Sequence, residues 1–184
     1  RRIILEHPTA VQSSLRLGCP LVDRTHPDFA ALKVLVTVLG GYFGSRLMSN
    51  IREEKGYTYG INASIASFPF QGYLAIGTET DNEYVEPCIR EIKYEMRRLQ
   101  EELIPEQELS MVKNYMIGEM CRNYEDPFSL SDAWIFVKTA GLENNFFQTL
   151  AEKIRRVKAE ELRDLAFRYF QSENMIEVVA GKKM

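Results

Sequence analysis

The pattern of hydrophobic and polar positions divides the chain into a first half with strands and a second half of helices. Residues 11–17 alternate weakly and predict a strand that Gly18 and Pro20 end. The apolar run over 28–39 is too long for one strand and predicts a buried helix. Apolar residues then fall on one helical face within 45–56. Period-two alternation over 57–65 and 73–80 predicts a hairpin.

The second half carries the period of an α-helix. Each predicted helix shows an apolar stripe, a proline at or near its start or a glycine at its end. The predicted helices cover residues 85–99, 105–120, 126–141, 146–154 and 160–170. A last strand is expected over 175–180. Strands followed by helices and a returning strand predict an α+β fold with two layers, an antiparallel sheet and helices packed on one face. We expect residues 1–184 to form one domain.

Aromatic side chains are concentrated in two of these predicted helices. Large apolar residues at helical spacing are most often core residues, and nothing near them suggests a bound cofactor. We therefore interpret this group as helix core: Phe128, Trp134, Phe136, Phe146 and Phe147.

Composition and charge remove several function classes. The 23 basic and 26 acidic residues leave a net charge of −3, so no basic face for nucleic acid is expected. No apolar run reaches the roughly 20 residues of a membrane span. Three widely spaced cysteines disfavour a disulfide framework or a thiolate zinc site. The composition fits a soluble protein, in either the cytoplasm or an exported location. Because the chain opens with Arg1, we expect a fragment or a processed product.

Complete catalytic motifs are missing from the sequence. The two histidines, His7 and His26, lie 19 positions apart beside prolines, and neither belongs to a His-x-x-Glu-His zinc helix. We therefore expect no metal ion and no cofactor in this chain. The glycine-rich residues 40–45 lack the Gly-Lys-Ser/Thr ending of a phosphate-binding loop. We interpret them as a place where two elements pack closely.

One segment of the chain has a more distinctive sequence than the motifs above. It contains Leu39-Gly40-Gly41, then Ser45-Arg46-Leu47, an Arg52-Glu53 pair and Gly56-x-x-Tyr59. This pattern resembles the signature of the second homologous domain of the pitrilysin/insulinase family of zinc metallopeptidases. The helix at 28–39, the hairpin and the closing strand also fall where that family has them, so the resemblance covers nearly the whole chain.

The resemblance implies that two domains contribute different parts of one active site. In that family two similar domains enclose a chamber; the first carries an inverted zinc motif, and the second contributes an arginine and a tyrosine that match Arg52 and Tyr59. It implies that Tyr59 donates a hydrogen bond to the oxyanion at the scissile carbonyl, and that Arg52 binds a peptide carbonyl or a nearby carboxylate. It further implies a peptide substrate and a homologous zinc-bearing domain or subunit as partner, with zinc in that partner. This chain alone is then expected to be inactive.

Three alternatives stay open at this stage. Arg52 is a surface arginine if it pairs only with Glu53, Glu54 or Asp81. Tyr59 shares its strand parity with Ile61, which favours a core position unless the strand is irregular. The whole chain is also compatible with a non-catalytic scaffold of the same family within a larger complex.

Overall fold

The computed structural model describes residues 1–122 and 124–182. The strands in this part of the chain are β1 (Arg2–Glu6), β2 (Gln12–Leu21), β3 (Thr58–Phe68), β4 (Gln71–Asp81) and β5 (Ile176–Gly181). The helices are α1 (Phe29–Gly40), a π-helix (Met48–Glu54), α2 (Val85–Glu101), α3 (Glu106–Arg122), α4 (Pro127–Thr139), α5 (Phe146–Arg156) and α6 (Ala159–Tyr169).

The strands form one open sheet in the order β1-β5-β2-β4-β3. The α+β class is confirmed. The prediction of a purely antiparallel sheet was wrong in one place, because β1 and β5 are parallel. β1 was not predicted as a strand. β1 and β2 run in opposite directions on either side of β5, so β5 is parallel to one of them and antiparallel to the other.

The core lies between one face of the sheet and the helices. Every second residue of β2 is buried beneath the helices, as Leu15, Leu17 and Cys19 show. The strand continues through Gly18 and Pro20, where we expected it to end. The opposite face of β2 carries the exposed Arg16. The predicted stripe of α2 is confirmed, since these residues are all buried: Val85, Ile89, Ile92, Met96 and Leu99.

The glycine-rich segment after α1 permits close packing, as predicted. A Cβ atom added to Gly40 would lie 2.7 Å from both the nitrogen and the Cβ of Ala63 on β3. Such a distance is shorter than side chains tolerate, so only glycine lets the end of α1 approach β3 this closely.

Helix α4 differs from its prediction. Its start is confirmed, because Oδ1 of Asp126 accepts hydrogen bonds from the backbone N–H groups of Phe128 and Ser129 at 2.8 and 3.0 Å. The expected aromatic core is wrong for Phe128 and Trp134, which are 83% and 61% exposed. The apolar residues of α4 lie on every face of the helix, so the sequence pattern does not specify which face packs against the core. Among the described residues of α4 only Val137 is buried.

The other three aromatic residues of that group lie together but are not fully buried. The ring centroid of Phe136 lies 6.3 Å from that of Phe146 and 5.9 Å from that of Phe147. Phe136 is itself 37% exposed. These rings therefore form a cluster between α4 and α5 at the rim of the core.

Candidate functional site

A β-bulge places Tyr59 on the surface. Thr58 pairs with Thr80 and Ile61 pairs with Thr78, so Tyr59 and Gly60 together lie opposite one residue of β4. The extra residue reverses the alternation of side chains at this point. Tyr59 is 93% exposed whereas Ile61 is 4% exposed. The interpretation of Tyr59 as a core residue, which rested on regular alternation, was therefore wrong.

Threonine hydroxyl groups hold the bulge in place. The Thr78 hydroxyl lies 2.9 Å from the Gly60 carbonyl, and the Gly60 N–H donates to Oγ1 of Thr58 at 3.1 Å. The Thr80 hydroxyl donates to the carbonyl of Tyr57 at 2.5 Å. Thr78 and Thr80 are each only 1% exposed. These side chains satisfy backbone groups that an irregular ladder leaves without strand partners.

Arg52 is bonded directly to the bulge. Its Nε–H donates to the backbone carbonyl of Tyr59 at 3.0 Å, and its guanidinium carbon lies 4.7 Å from the centroid of the Phe43 ring. Its Nη1 is 3.8 Å from a carboxylate oxygen of Glu53, a long contact between partly exposed side chains. Such a pair is weak in water. The two residues predicted from the sequence thus lie side by side.

The π-helix fixes the backbone that carries Arg52. Ile51 is fully buried, and the Asn50 side chain donates to buried Glu95 of α2 at 2.7 Å. The segment ends at Gly56, whose φ of 66° is the left-handed conformation expected for a C-terminal glycine. The sequence predicted an ordinary helix here. A single π-turn in a helical segment often marks a functional site.

Arg46 has a structural contact. Its Nε and Nη2 donate to the two carboxylate oxygens of Glu108 on α3, at 2.9 and 3.0 Å. The Arg46 side chain is only 10% exposed. This paired geometry is the strongest that arginine makes with a carboxylate, and it ties the start of the π-helix segment to α3.

The histidines lie elsewhere. The Nδ1 atom of His26 accepts the Asp28 backbone N–H at 3.2 Å, close to the start of α1, and His7 follows β1. Over residues 1–122 and 124–182, no group of three or more His, Cys, Asp or Glu side chains is arranged to hold a metal ion. The same part of the chain has no helix long and apolar enough to cross a bilayer.

Sequence reasoning missed three contributors to this site: Phe43, Thr78 and the Asn50–Glu95 contact. It also overlooked a signal that was present. Glycine inside a strand pattern often marks a bulge, and Gly60 follows Tyr59 directly.

Comparison with known families identifies the class of domain. The family described as "Peptidase M16 inactive domain" matches residues 1–116. The chain therefore belongs to the M16 peptidase family, and the resemblance to the zinc-free domain of such peptidases is confirmed. The fold agrees with the M16 inactive domain of Pseudomonas fluorescens, with a TM-score of 0.89 at 23% identity. That alignment covers 100% of this chain and 44% of the other.

Two relatives carry contrasting names. The Helicobacter pylori protein "Non-peptidase homolog YmxG" is 29% identical over 94% of this chain and 40% of its own length. The Bacillus subtilis protein "Uncharacterized zinc protease YmxG" is 30% identical over 62% of this chain and 28% of its own length. The chain thus spans well under half the length of these relatives.

Proposed function

We propose that this chain is the substrate-binding and oxyanion-stabilising half of a zinc-dependent metalloendopeptidase. In this proposal a homologous domain or subunit holds the zinc, and the two halves bind an extended peptide between them. The observation that carries the proposal is the junction of Arg52 and Tyr59, in which a bulge exposes the tyrosine and the arginine bonds to its carbonyl.

The tyrosine suits the role of an oxyanion donor. When zinc is bound in the partner it activates the attacking water and polarises the scissile carbonyl. The hydroxyl of Tyr59 then donates a hydrogen bond to the oxygen on which negative charge develops. Loss of one such donor typically costs roughly 3 kcal/mol of transition-state stabilisation. The high exposure of Tyr59 leaves its hydroxyl open to a peptide.

The arginine suits the role of a peptide anchor. A guanidinium group stays charged at every physiological pH and offers donors in a fixed plane. In Arg52 the Nε–H is used by the Tyr59 carbonyl, so the Nη groups remain for a peptide carbonyl or carboxylate. Both residues sit on backbone fixed by buried groups, which favours precise placement.

The second candidate function is a non-catalytic scaffold. The name of the Helicobacter pylori relative, which aligns with 94% of this chain, favours it. In a scaffold the same fold would hold a partner or a peptide without cleavage. Arg52 and Tyr59 would then be inherited residues without a reaction.

The deciding experiment uses the full-length native assembly that contains this chain. Its zinc content and its hydrolysis of a mixed library of quenched fluorescent peptides are measured for the native protein and for Tyr59→Phe. Tyr94→Phe, which alters a half-exposed tyrosine on α2, is the control. One zinc per assembly and cleavage that falls about a hundredfold only in Tyr59→Phe support the peptidase. A zinc-free assembly that cleaves none of the peptides supports the scaffold.

A further inference from the structure

Phe43 occupies an unusual position for an apolar residue. It is 65% exposed, yet its ring lies against the guanidinium of Arg52, with 4.7 Å between the guanidinium carbon and the ring centroid. This distance is within the roughly 6 Å over which a cation is attracted to an aromatic face. The ring therefore has a specific polar partner at the candidate site.

The turn that carries Phe43 is well anchored. Gly40 packs against Ala63 on one side, and the Tyr42 ring lies 5.2 Å from that of Tyr115 on α3. The backbone N–H of Ser45 donates to the carbonyl of Tyr42 at 3.1 Å, which closes the turn. These contacts fix the backbone of the turn from which the Phe43 ring projects.

Two contacts of different geometry act on the same guanidinium. The Tyr59 carbonyl accepts the Nε–H, while the guanidinium carbon lies over the face of the Phe43 ring. A hydrogen bond alone would leave the plane free to rock about the bond. The ring restricts that motion, and it leaves the Nη–H donors available because a phenylalanine ring has no nitrogen or oxygen acceptor. A carboxylate in its place would compete with a peptide for the Nη groups.

We propose that Phe43 is a positioning residue for Arg52 that holds the Nη donors in the orientation in which they bind the peptide. The part of this inference that concerns peptide binding rests on the proposed function. The positioning itself is a property of this chain and is testable without the partner. Orienting a donor group before binding lowers the entropy lost when the peptide arrives.

The first test observes Arg52 in the 184-residue chain by ¹H–¹⁵N spectroscopy of arginine side chains. The Arg52 Nε–H signal is assigned by its loss in Arg52→Lys. We expect a ring-current shift and slowed exchange with water in the native chain, both retained in Phe43→Tyr. In Phe43→Leu the shift should disappear and exchange should accelerate roughly two- to fivefold. Phe128→Leu, at an exposed phenylalanine on α4, should change neither.

The second test measures peptide hydrolysis by the full assembly. Phe43→Leu should raise KM roughly two- to fivefold with little change in kcat, and Phe43→Tyr should restore the native KM. An Arg52 signal that is identical in the native chain and Phe43→Leu overturns the inference. So does an unchanged KM in Phe43→Leu when Arg52→Gln impairs hydrolysis. If the Arg52 signal responds to Phe43→Leu but Arg52→Gln leaves hydrolysis unchanged, the positioning is supported and the proposed function fails.

Discussion

The side chain of Arg52 and the main chain of Tyr59 are joined by a hydrogen bond of 3.0 Å. The bond links the π-helix to the bulge in β3, which are separated in sequence only by the turn around Gly56. Because it uses the carbonyl of Tyr59, it does not depend on the phenol ring. The hydroxyl of Tyr59 can therefore be removed without disturbing the geometry that presents it.

Tyr59→Phe is accordingly expected to separate activity from stability. Since Tyr59 is 93% exposed, the substitution should change the free energy of unfolding of the chain by less than about 0.5 kcal/mol. In the full assembly kcat should fall about a hundredfold, with a smaller change in KM. Urea unfolding of the chain and steady-state hydrolysis by the assembly measure the two quantities. Equal turnover in both proteins would remove Tyr59 from the reaction.

Arg52→Met keeps an unbranched side chain but removes the charge and every N–H donor. We expect KM for peptides to rise, because uniform binding of the peptide is lost in the ground state and the transition state alike. The backbone amides of Tyr59 and Gly60 should shift in NMR spectra of the chain, since the carbonyl of Tyr59 loses its partner. Arg24→Met, near the end of β2, is the control for loss of an arginine. Amides of the bulge that do not move would contradict the role of this bond.

The threonines of β4 should prove more important than their small size suggests. Thr78→Val has nearly the same shape but no hydroxyl, so the Gly60 carbonyl loses one of its two hydroxyl partners at a partly buried position. Such a loss costs about 1–3 kcal/mol. Thr78→Ser retains the hydroxyl and should lie closer to the native stability. Thermal and urea unfolding measure the difference, and a Thr78→Val protein as stable as the native chain would refute it.

Two glycines in helices offer a matched pair. Gly40→Ala forces a methyl group onto Ala63 and should lower the free energy of unfolding by about 1–3 kcal/mol. Gly118 lies on α3, where the methyl carbon of Gly118→Ala would meet no described atom within 4 Å outside its own helix turn. It should be neutral or stabilise by up to about 1 kcal/mol, because alanine favours helices. Equal effects of the two substitutions on urea unfolding would show that packing at Gly40 is unimportant.

The three cysteines should differ in reactivity. Cys121 is exposed, whereas Cys19 and Cys88 are buried. Burial raises the pKa of the Cys19 thiol to about 11 and also raises the pKa of Cys88. At pH 8 only about one Cys19 side chain in a thousand is then the reactive thiolate. Mass spectrometry after iodoacetamide treatment should show fast labelling of Cys121 and slow labelling of the other two until urea is added.

The pH dependence of stability follows from the same thiol. Because the pKa of Cys19 is raised in the folded chain, the folded state holds its proton more tightly than the unfolded state does. Its contribution to stability is complete below the ordinary thiol pKa of 9.0 and is lost as the pH rises towards the folded-state pKa of about 11. Urea unfolding between pH 8 and 11 should show a decline that is smaller in Cys19→Ala. A decline of equal size in both proteins would assign it to other groups.

The class of fold was predictable because its signals are local and repeated. The stripe of α2, the hairpin and the Asp126 cap each depend on residues a few positions apart. The pairing of β1 with β5 joins residues more than 170 positions apart, and Arg2–Glu6 shows no alternation in burial. A short edge strand of this kind leaves little trace in a periodic pattern.

The site was only half predictable. Arg52 and Tyr59 were found through the resemblance to a peptidase domain, whereas strand parity gave the wrong side for Tyr59. Parity fails there because it assumes one residue opposite another, and the bulge at Gly60 adds a residue. The contact between Phe43 and Arg52 depends on the path of a turn, which no spacing rule describes.

The place of β5 in the sheet has a consequence for how the chain is made. β5 follows every other described element in the sequence, yet it lies between β1 and β2. Among the described strands β1 pairs only with β5, so this pairing waits until residues 176–181 have emerged from the ribosome. Joining such distant segments slows folding, since the chain entropy lost on closure precedes the gain from pairing. Until then the exposed edge of β2 is a place where another strand can add.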